Sequence, residues 1–185
     1  MEIKNATDIS PLIFTARFSY NFNKYEKRVI NMKIKDKSAL IIAILIPLTV
    51  GSFSTVVSGG TSAYSVINKP ASSPPAALFP IVWTILYILM GISSYLIYVS
   101  GDTSSKKALG IYALQLIFNF FWSIFFFGFS RYLFAFLWLI ALIMLILLMI
   151  YMFYHISRLA AYLQIPYLVW CIFAAYLNFM VFKMN

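Results

Sequence analysis

Acidic residues are scarce in this sequence and absent from its long apolar runs. The 185 residues include five Asp and Glu against fourteen Lys and Arg, and none of the five acidic residues lies in an apolar run. Catalysis by paired carboxylates and transport by a proton relay therefore lack their usual groups. The single histidine, His155, ends one of the apolar runs near Arg158, where a solvated or headgroup-facing side chain is the simpler interpretation.

Cysteine is nearly absent as well. Cys171 is the only one and lies in an apolar run, so neither an intrachain disulfide nor a cysteine-based metal site can form. We expect this thiol to be buried as a small hydrophobic side chain. The sequence contains no evident nucleophile–base pair, phosphate-binding loop or set of metal ligands, so we expect no metal and no required cofactor. It also has no internal repeat, which disfavours an inverted-repeat transporter.

Apolar residues make up most of what is present. The chain is 63% hydrophobic and 10% charged, whereas soluble domains are about half apolar and a quarter charged. A soluble fold of this size could not bury so much apolar surface, so lipid must surround most of it. Five apolar segments, each near the length of about 20 residues that spans a bilayer, cover approximately residues 38–57, 78–99, 108–127, 132–154 and 160–182. The predicted fold is an all-α integral membrane bundle of five transmembrane helices.

Two regions follow from this division: a polar extension over residues 1–37 and the membrane domain over residues 38–185. The extension lacks the apolar core of a signal peptide. The segment that begins at Met32 resembles an ordinary membrane-protein N-terminus, and our hypothesis is that Met32 is the native start and residues 1–31 are dispensable.

Basic residues are concentrated at one end of the chain. Eight of the fourteen precede Ser38, a clustering that argues against nucleic acid as a partner. With antiparallel helices, eleven basic residues fall on the N-terminal side of the membrane and three on the other, or six and three without residues 1–31. The positive-inside rule then predicts a cytoplasmic N-terminus and an external first loop.

A proline-rich stretch immediately precedes the second apolar segment. Pro70, Pro74 and Pro75 each lack a backbone donor and push the preceding residue out of the helical region. The run that follows contains no breaker from Ile81 to Met90. We therefore predict a stiff loop that leads into a buried helix and closes a cavity in the bundle. The residues predicted to form this lid are Lys69, Pro70, Pro74 and Pro75.

Amide and aromatic side chains share one stripe of the third predicted helix. Gln115, Asn119 and Trp122 lie at positions i, i+4 and i+7. Because an unsatisfied amide in hydrocarbon is costly, the stripe should face the bundle interior. Two interpretations remain open: a hydrogen bond between helices, or a polar contact at the floor of a ligand cavity.

Similar stripes occur in the second and fifth predicted helices. Trp83 and Tyr87 share one face of the second, and Trp170 and Asn178 share one face of the fifth. Such stripes usually indicate core packing. Here they also predict an indole-walled cavity for a flat, apolar ligand that stacks on rings. The predicted ligand-binding residues are Trp83, Tyr87, Asn119, Trp122, Trp170 and Asn178.

Several short motifs occur in order along the membrane domain. They are Lys69-Pro70 with Pro74-Pro75, Val82-Trp83-Thr84-Ile85-Leu86-Tyr87 with Met90-Gly91, Gln115-Leu116 with Asn119, Trp122 and Phe126-Phe127-Gly128, and Pro166-Tyr167-Leu168 with Trp170, Phe173-Ala174 and Leu177-Asn178. Together they resemble the TspO/MBR family of tryptophan-rich sensory proteins and translocator proteins (peripheral benzodiazepine receptors). The resemblance extends from about Ser38 to Lys183.

This resemblance implies a five-helix bundle, often a homodimer, in a bacterial cell membrane. It implies binding of porphyrin-type tetrapyrroles and, in some members, of sterols and benzodiazepine-type ligands. Some bacterial members are reported to promote photo-oxidative breakdown of protoporphyrin IX, and two tryptophans implicated in that reaction match Trp83 and Trp170. For a homodimer, the small residues Ala108, Gly110 and Ala113 of the third helix offer a candidate face.

The sequence also departs from the family pattern. Ala63, Ser72 and Ala77 stand where members usually carry loop tryptophans, and no Tyr precedes Lys183 in the sterol-recognition pattern, which gives sterol binding little support. Three functions are therefore weighed: a tetrapyrrole receptor or carrier as the leading hypothesis, a photo-oxidase of protoporphyrin IX, and a regulatory or scaffold protein whose cavity is vestigial.

Overall fold

The predicted all-α, five-span membrane fold is confirmed. A computed structural model describes residues 36–59 and 67–185, and within them five helical stretches are long and apolar enough to cross a membrane. The helices are α1 (Lys37–Val57), α2 (Leu78–Tyr98), α3 (Ser105–Ser123), α4 (Tyr132–Ile156), α5 (Arg158–Tyr162) and α6 (Ile165–Met184). The hypothesis about Met32 concerns residues outside these ranges and stays a prediction.

The third span ends in a widened turn that the hydrophobic pattern did not predict. After α3, residues Ile124–Gly128 form a π-helical turn, in which the Phe129 N–H donates to the Ile124 carbonyl at 2.9 Å. Such turns insert one extra residue per turn and are frequent at functional sites. Here the turn directs Phe127 toward the interior, where it becomes part of the candidate site.

The fifth span is divided, whereas the apolar run predicted one helix over residues 160–182. α5 ends at Tyr162 and α6 begins at Ile165. Pro166 stands in the first turn of α6, where its missing N–H is tolerated, but it disfavours a helical residue before it. The division places Gln164 at the junction of α5 and α6, fully buried.

Short links make neighbouring spans antiparallel and arrange them as a ring. α1 packs against α2 and α3, α3 against α4, and α4 against α6, while α5 returns to α2. α1 and α2 approach closely where Gly91 faces the backbone of α1. A Cβ atom at Gly91 would lie 2.7 Å from the Ala43 carbonyl oxygen. Pro47, four residues on, cannot donate the usual helical hydrogen bond to that carbonyl.

Polarity is distributed inside out, as in a membrane protein. Large apolar side chains such as Ile41 and Met144 are exposed on the outer surface, while Gln115, Gln164 and Asn178 are buried within the bundle. Buried amides of this kind are costly in hydrocarbon unless they find partners. The interior partners of these amides therefore define where the bundle can bind polar groups.

Candidate ligand-binding site

A cavity of about 180 Å³ lies between α1, α2 and α3. Its lining combines aromatic rings with side-chain hydroxyl groups. The aromatic lining consists of Phe79, Trp83, Tyr87, Trp122 and Phe127, and the hydroxyl lining of Ser52, Ser54, Thr55, Ser58, Thr84 and Ser123. The site therefore offers ring surfaces to a flat molecule and oxygen atoms to its polar groups.

Trp83 and Tyr87 form the aromatic wall on α2. One helical turn apart, their rings stack with centroids 5.3 Å apart and an interplanar angle of 28°. Trp83 also meets Tyr167 edge to face at 6.1 Å. Tyr87 lies flat against α1 because Gly51 has no side chain, and a Cβ at that position would lie 2.6 Å from the Tyr87 hydroxyl. Both predicted residues thus line the cavity, Trp83 packed against Tyr167 and Tyr87 against Gly51.

A chain of buried hydrogen bonds forms the floor of the cavity. The Tyr87 hydroxyl donates to Asn119 Oδ1 at 3.0 Å, and Asn119 Nδ2 donates to the Tyr167 hydroxyl at 3.1 Å. Tyr167 in turn donates to Gln115 Oε1 at 2.9 Å. We call these four residues the polar relay. Asn119 fits both interpretations that the sequence left open, since it lines the cavity and also links α2, α3 and α6.

Trp122 and Asn178 form a second link at the end of the third span. Trp122 Nε1 donates to Asn178 Oδ1 at 3.2 Å, and Asn178 Nδ2 donates to the Tyr132 carbonyl at 2.8 Å. Trp122 lines the cavity, whereas Asn178 lies behind it. Asn178 therefore orients the indole and connects α3 to the start of α4.

Trp170 contacts a ring of the cavity lining without being part of that lining. It is half-buried, and it meets Phe79 edge to face at 6.0 Å. Phe79 lines the cavity, but Trp170 is not among the described lining residues. The structure thus brings Trp83, Tyr87, Asn119 and Trp122 together around one space and leaves Trp170 in the layer outside it.

The proline segment is tied down at both ends of its described part. Asn68 exchanges two hydrogen bonds with Asn185 at the end of α6, of 3.2 and 2.8 Å. Further on, the Leu78 N–H donates to the Pro75 carbonyl at 2.9 Å. Lys69, Pro70 and Pro74 are partly buried and Pro75 is exposed, but none of these four lines the cavity; the segment contributes Ala76. Ala63 lies outside the described residues.

Comparison with known proteins decides the family. Residues 41–184 match the TspO/MBR family. The chain belongs to this family. It is 38% identical over 154 residues to the tryptophan-rich protein TspO of Archaeoglobus fulgidus, in an alignment that covers 83% of this chain and 99% of that protein. It is 35% identical over 146 residues to the translocator protein of Sus scrofa, which covers 76% and 86% respectively. The resemblance inferred from the motifs is thus confirmed.

The hydroxyl residues that α1 contributes to the lining of this TspO/MBR chain were not predicted from the sequence. Gly51, Ser54 and Ser58 follow one another at spacings of three and four, so they share a helix face. Ser54 Oγ donates to the Phe120 carbonyl at 2.8 Å, and Ser123 Oγ donates to Ser58 Oγ at 3.1 Å. A stripe of small hydroxyl residues in an apolar run was the available signal.

Proposed function

We propose that this protein is a membrane receptor or carrier for porphyrin-type tetrapyrroles, which bind in the cavity between α1, α2 and α3. The stacked pair of Trp83 and Tyr87, facing the cavity, carries the proposal. A tetrapyrrole is flat, apolar over its faces and polar at its edge. Ring surfaces on α2 and hydroxyl oxygens on α1 suit those two parts.

Binding a macrocycle requires the cavity to widen. Pockets for drug-sized ligands measure roughly 300–1,000 Å³, against about 180 Å³ here. Ala76, Phe79 and Pro80 line the cavity from the junction of the proline segment with α2. Outward movement of this junction enlarges the cavity without breaking the polar relay, so we assign the role of lid to the segment from Lys69 to Pro80.

The uncharged lining of the cavity determines how the ligand is oriented. No charged side chain is among the described residues that line the cavity. Burying an anion without a partner is costly, so the macrocycle enters first and the carboxylates stay at the mouth, near solvent or lipid headgroups. A tetrapyrrole held in this way exposes its charged edge and buries its faces.

Replacing Trp83 with leucine is expected to weaken protoporphyrin IX binding about tenfold, since ring stacking of about 1.4 kcal/mol corresponds to that factor. Detergent-solubilised protein is titrated in the dark, and the porphyrin absorption band is followed. Trp138→Leu is the matched control, because Trp138 stacks on Phe118 at 4.3 Å, outside the cavity lining. Equal affinities of the Trp83→Leu variant and wild type would refute the assignment.

Photo-oxidative breakdown of protoporphyrin IX is the second candidate function, and the position of Trp83 at the cavity wall favours it. An indole next to an excited porphyrin can donate an electron to it, and dioxygen then takes that electron from the porphyrin anion as superoxide. The indole radical cation recovers an electron from the porphyrin, which leaves the porphyrin oxidised by one electron and open to attack by superoxide. Under illumination, Trp83→Phe is expected to slow the loss of the porphyrin band severalfold. Trp170→Phe is expected to change it little, because Trp170 is not among the described lining residues and meets the lining at Phe79. Wild-type bleaching by the Trp83→Phe, Trp170→Phe double variant would exclude an indole role.

Location and assembly complete the proposal. The bias of basic residues supports a cytoplasmic N-terminus, with the proline segment on the external side of a bacterial cell membrane.

For a homodimer, the candidate face on α3 is smaller than the sequence suggested. Ala108 is fully buried inside the bundle, so only Gly110 and Ala113 remain exposed for close helix contact.

A further inference from the structure

The chain contains only two glutamines, Gln115 and Gln164, and both are fully buried. Their amide groups are poorly satisfied within residues 36–59 and 67–185. Gln115 Nε2 and both amide atoms of Gln164 have no hydrogen-bond partner there. Both glutamines therefore lie where burial of an amide is most unfavourable in free energy. Three of their four side-chain amide atoms have no protein partner within the described residues.

The chain places both glutamines within about one helical turn of a single hydrogen bond. α3 and α6 run in the same direction, and the hydrogen bond from Tyr167 to Gln115 joins residues 52 positions apart. Gln164 precedes Tyr167 by three residues and Tyr112 precedes Gln115 by three, so both lie about one helical turn before that hydrogen bond along their spans. The Tyr112 hydroxyl is buried at this level too, next to the Ser94 side chain. Two adjacent levels of the interior thus carry unsatisfied polar groups.

Depth in the membrane makes the arrangement costly. Gln115 is ten residues into α3, about 15 Å at 1.5 Å per residue, which is near the middle of a hydrocarbon core of about 30 Å. Each unsatisfied polar group at such a depth is strongly unfavourable. Apolar side chains of the same size would remove that cost, so a bound polar molecule that pairs with these groups is the simplest explanation for the amides.

We propose that Tyr112, Gln115 and Gln164 form an internal water site, distinct from the ligand cavity and joined to it by the polar relay. Water both donates and accepts, as this set requires: Gln115 Nε2 and Gln164 Nε2 donate, Gln164 Oε1 accepts, and the Tyr112 hydroxyl does either. No cluster of three His, Cys, Asp or Glu side chains occurs in the described chain, and none of the three residues is charged, so an ion is a poorer occupant.

The relay connects this water site to the ligand cavity. Tyr87 and Asn119 line the cavity, and Gln115 ends the relay at the water site. A change in the hydrogen bond from Tyr87 to Asn119 alters the bond that Asn119 donates to Tyr167. That change in turn alters the bond that Tyr167 donates to Gln115 Oε1. Occupancy of the cavity therefore changes the environment of the internal water.

Selective labelling tests the site directly, because two glutamines give only two side-chain amide groups to assign. In full-length protein labelled with ¹⁵N-glutamine in nanodiscs, both amide groups are expected to show magnetisation transfer from water, and Gln115→Met and Gln164→Met assign them. Tyr87→Phe is expected to shift the Gln115 amide signals. Absence of water transfer to both groups, together with slow hydrogen–deuterium exchange, would overturn the water site; unchanged Gln115 signals in Tyr87→Phe would overturn its link to the cavity.

Thermal stability gives a second, independent test through the sign of the change. If water satisfies Gln164, methionine removes hydrogen bonds and Tm is expected to fall by about 2–4 °C. If the amide is dry and unpaired, methionine relieves its burial, and an equal or higher Tm would contradict the proposal. Leu163→Met is the matched control, since it introduces the same side chain at the neighbouring position with nearly conserved volume.

Discussion

Replacing Gly91 with alanine is expected to lower Tm by roughly 10 °C, the largest stability loss that we predict for a single methyl group. The added Cβ would lie 2.5 Å from Ile44 Cα and 2.9 Å from the Ile44 backbone nitrogen. Backbone atoms cannot rotate away as a flexible side chain does, so α1 must move from α2. Overpacking of this kind costs about 3 kcal/mol, and each kcal/mol corresponds to about 2–4 °C in a chain of this size.

Gly110→Ala is the matched control for this prediction, made on another membrane helix. A Cβ at Gly110 meets no atom within 4 Å, and alanine favours helix over glycine by about 0.5–1 kcal/mol. We therefore expect Tm to stay constant or rise slightly. Thermal unfolding in one detergent, followed by circular dichroism, compares the two variants. A Gly91→Ala protein as stable as Gly110→Ala would mean that α1 and α2 do not pack as closely as described.

The contact at Gly91 illustrates what the sequence could and could not predict about the fold. Long apolar runs were enough to predict five spans, because lipid allows few other structures for them. That the Ala43 carbonyl would face Gly91 could not be predicted, since it depends on how α1 and α2 are rotated against each other. The π-helical turn and the division of the fifth span depend likewise on packing that hydropathy does not record.

The candidate site shows the same division between pattern and packing. Helical spacing grouped Trp83 with Tyr87, and Asn119 with Trp122, because side chains three or four residues apart share a face. All four line the cavity. Spacing alone could not predict that Trp170 would stay outside the described lining of the cavity and contact that lining at Phe79. The hydroxyl lining was not predicted because serine and threonine can bond to backbone carbonyls of their own helix. They therefore occur within apolar runs without standing out as polar positions.

Replacing Asn119 with leucine is expected to destabilise the bundle by about 1–2 kcal/mol and to weaken tetrapyrrole binding. Asn119 accepts from Tyr87 and donates to Tyr167, and all three side chains are buried. Leucine leaves the Tyr87 hydroxyl as a donor without its acceptor, at a cost of about 1–3 kcal/mol in general. Hydrogen bonds between membrane helices contribute less, about 0.6 kcal/mol on average, which places the estimate at the lower end of that range.

A double-mutant cycle identifies the hydrogen bond as the cause. Tyr87→Phe removes the hydroxyl that Asn119→Leu leaves unpaired, so the double variant is expected to lose about 1 kcal/mol less than the sum of the single variants. Tyr176→Phe is the control partner, because Tyr176 lies on α6 with its side chain exposed; its effect should add to that of Asn119→Leu. Additive losses for Tyr87→Phe as well would show that the two side chains are not coupled, and the relay would then have no energetic link between the cavity and Gln115.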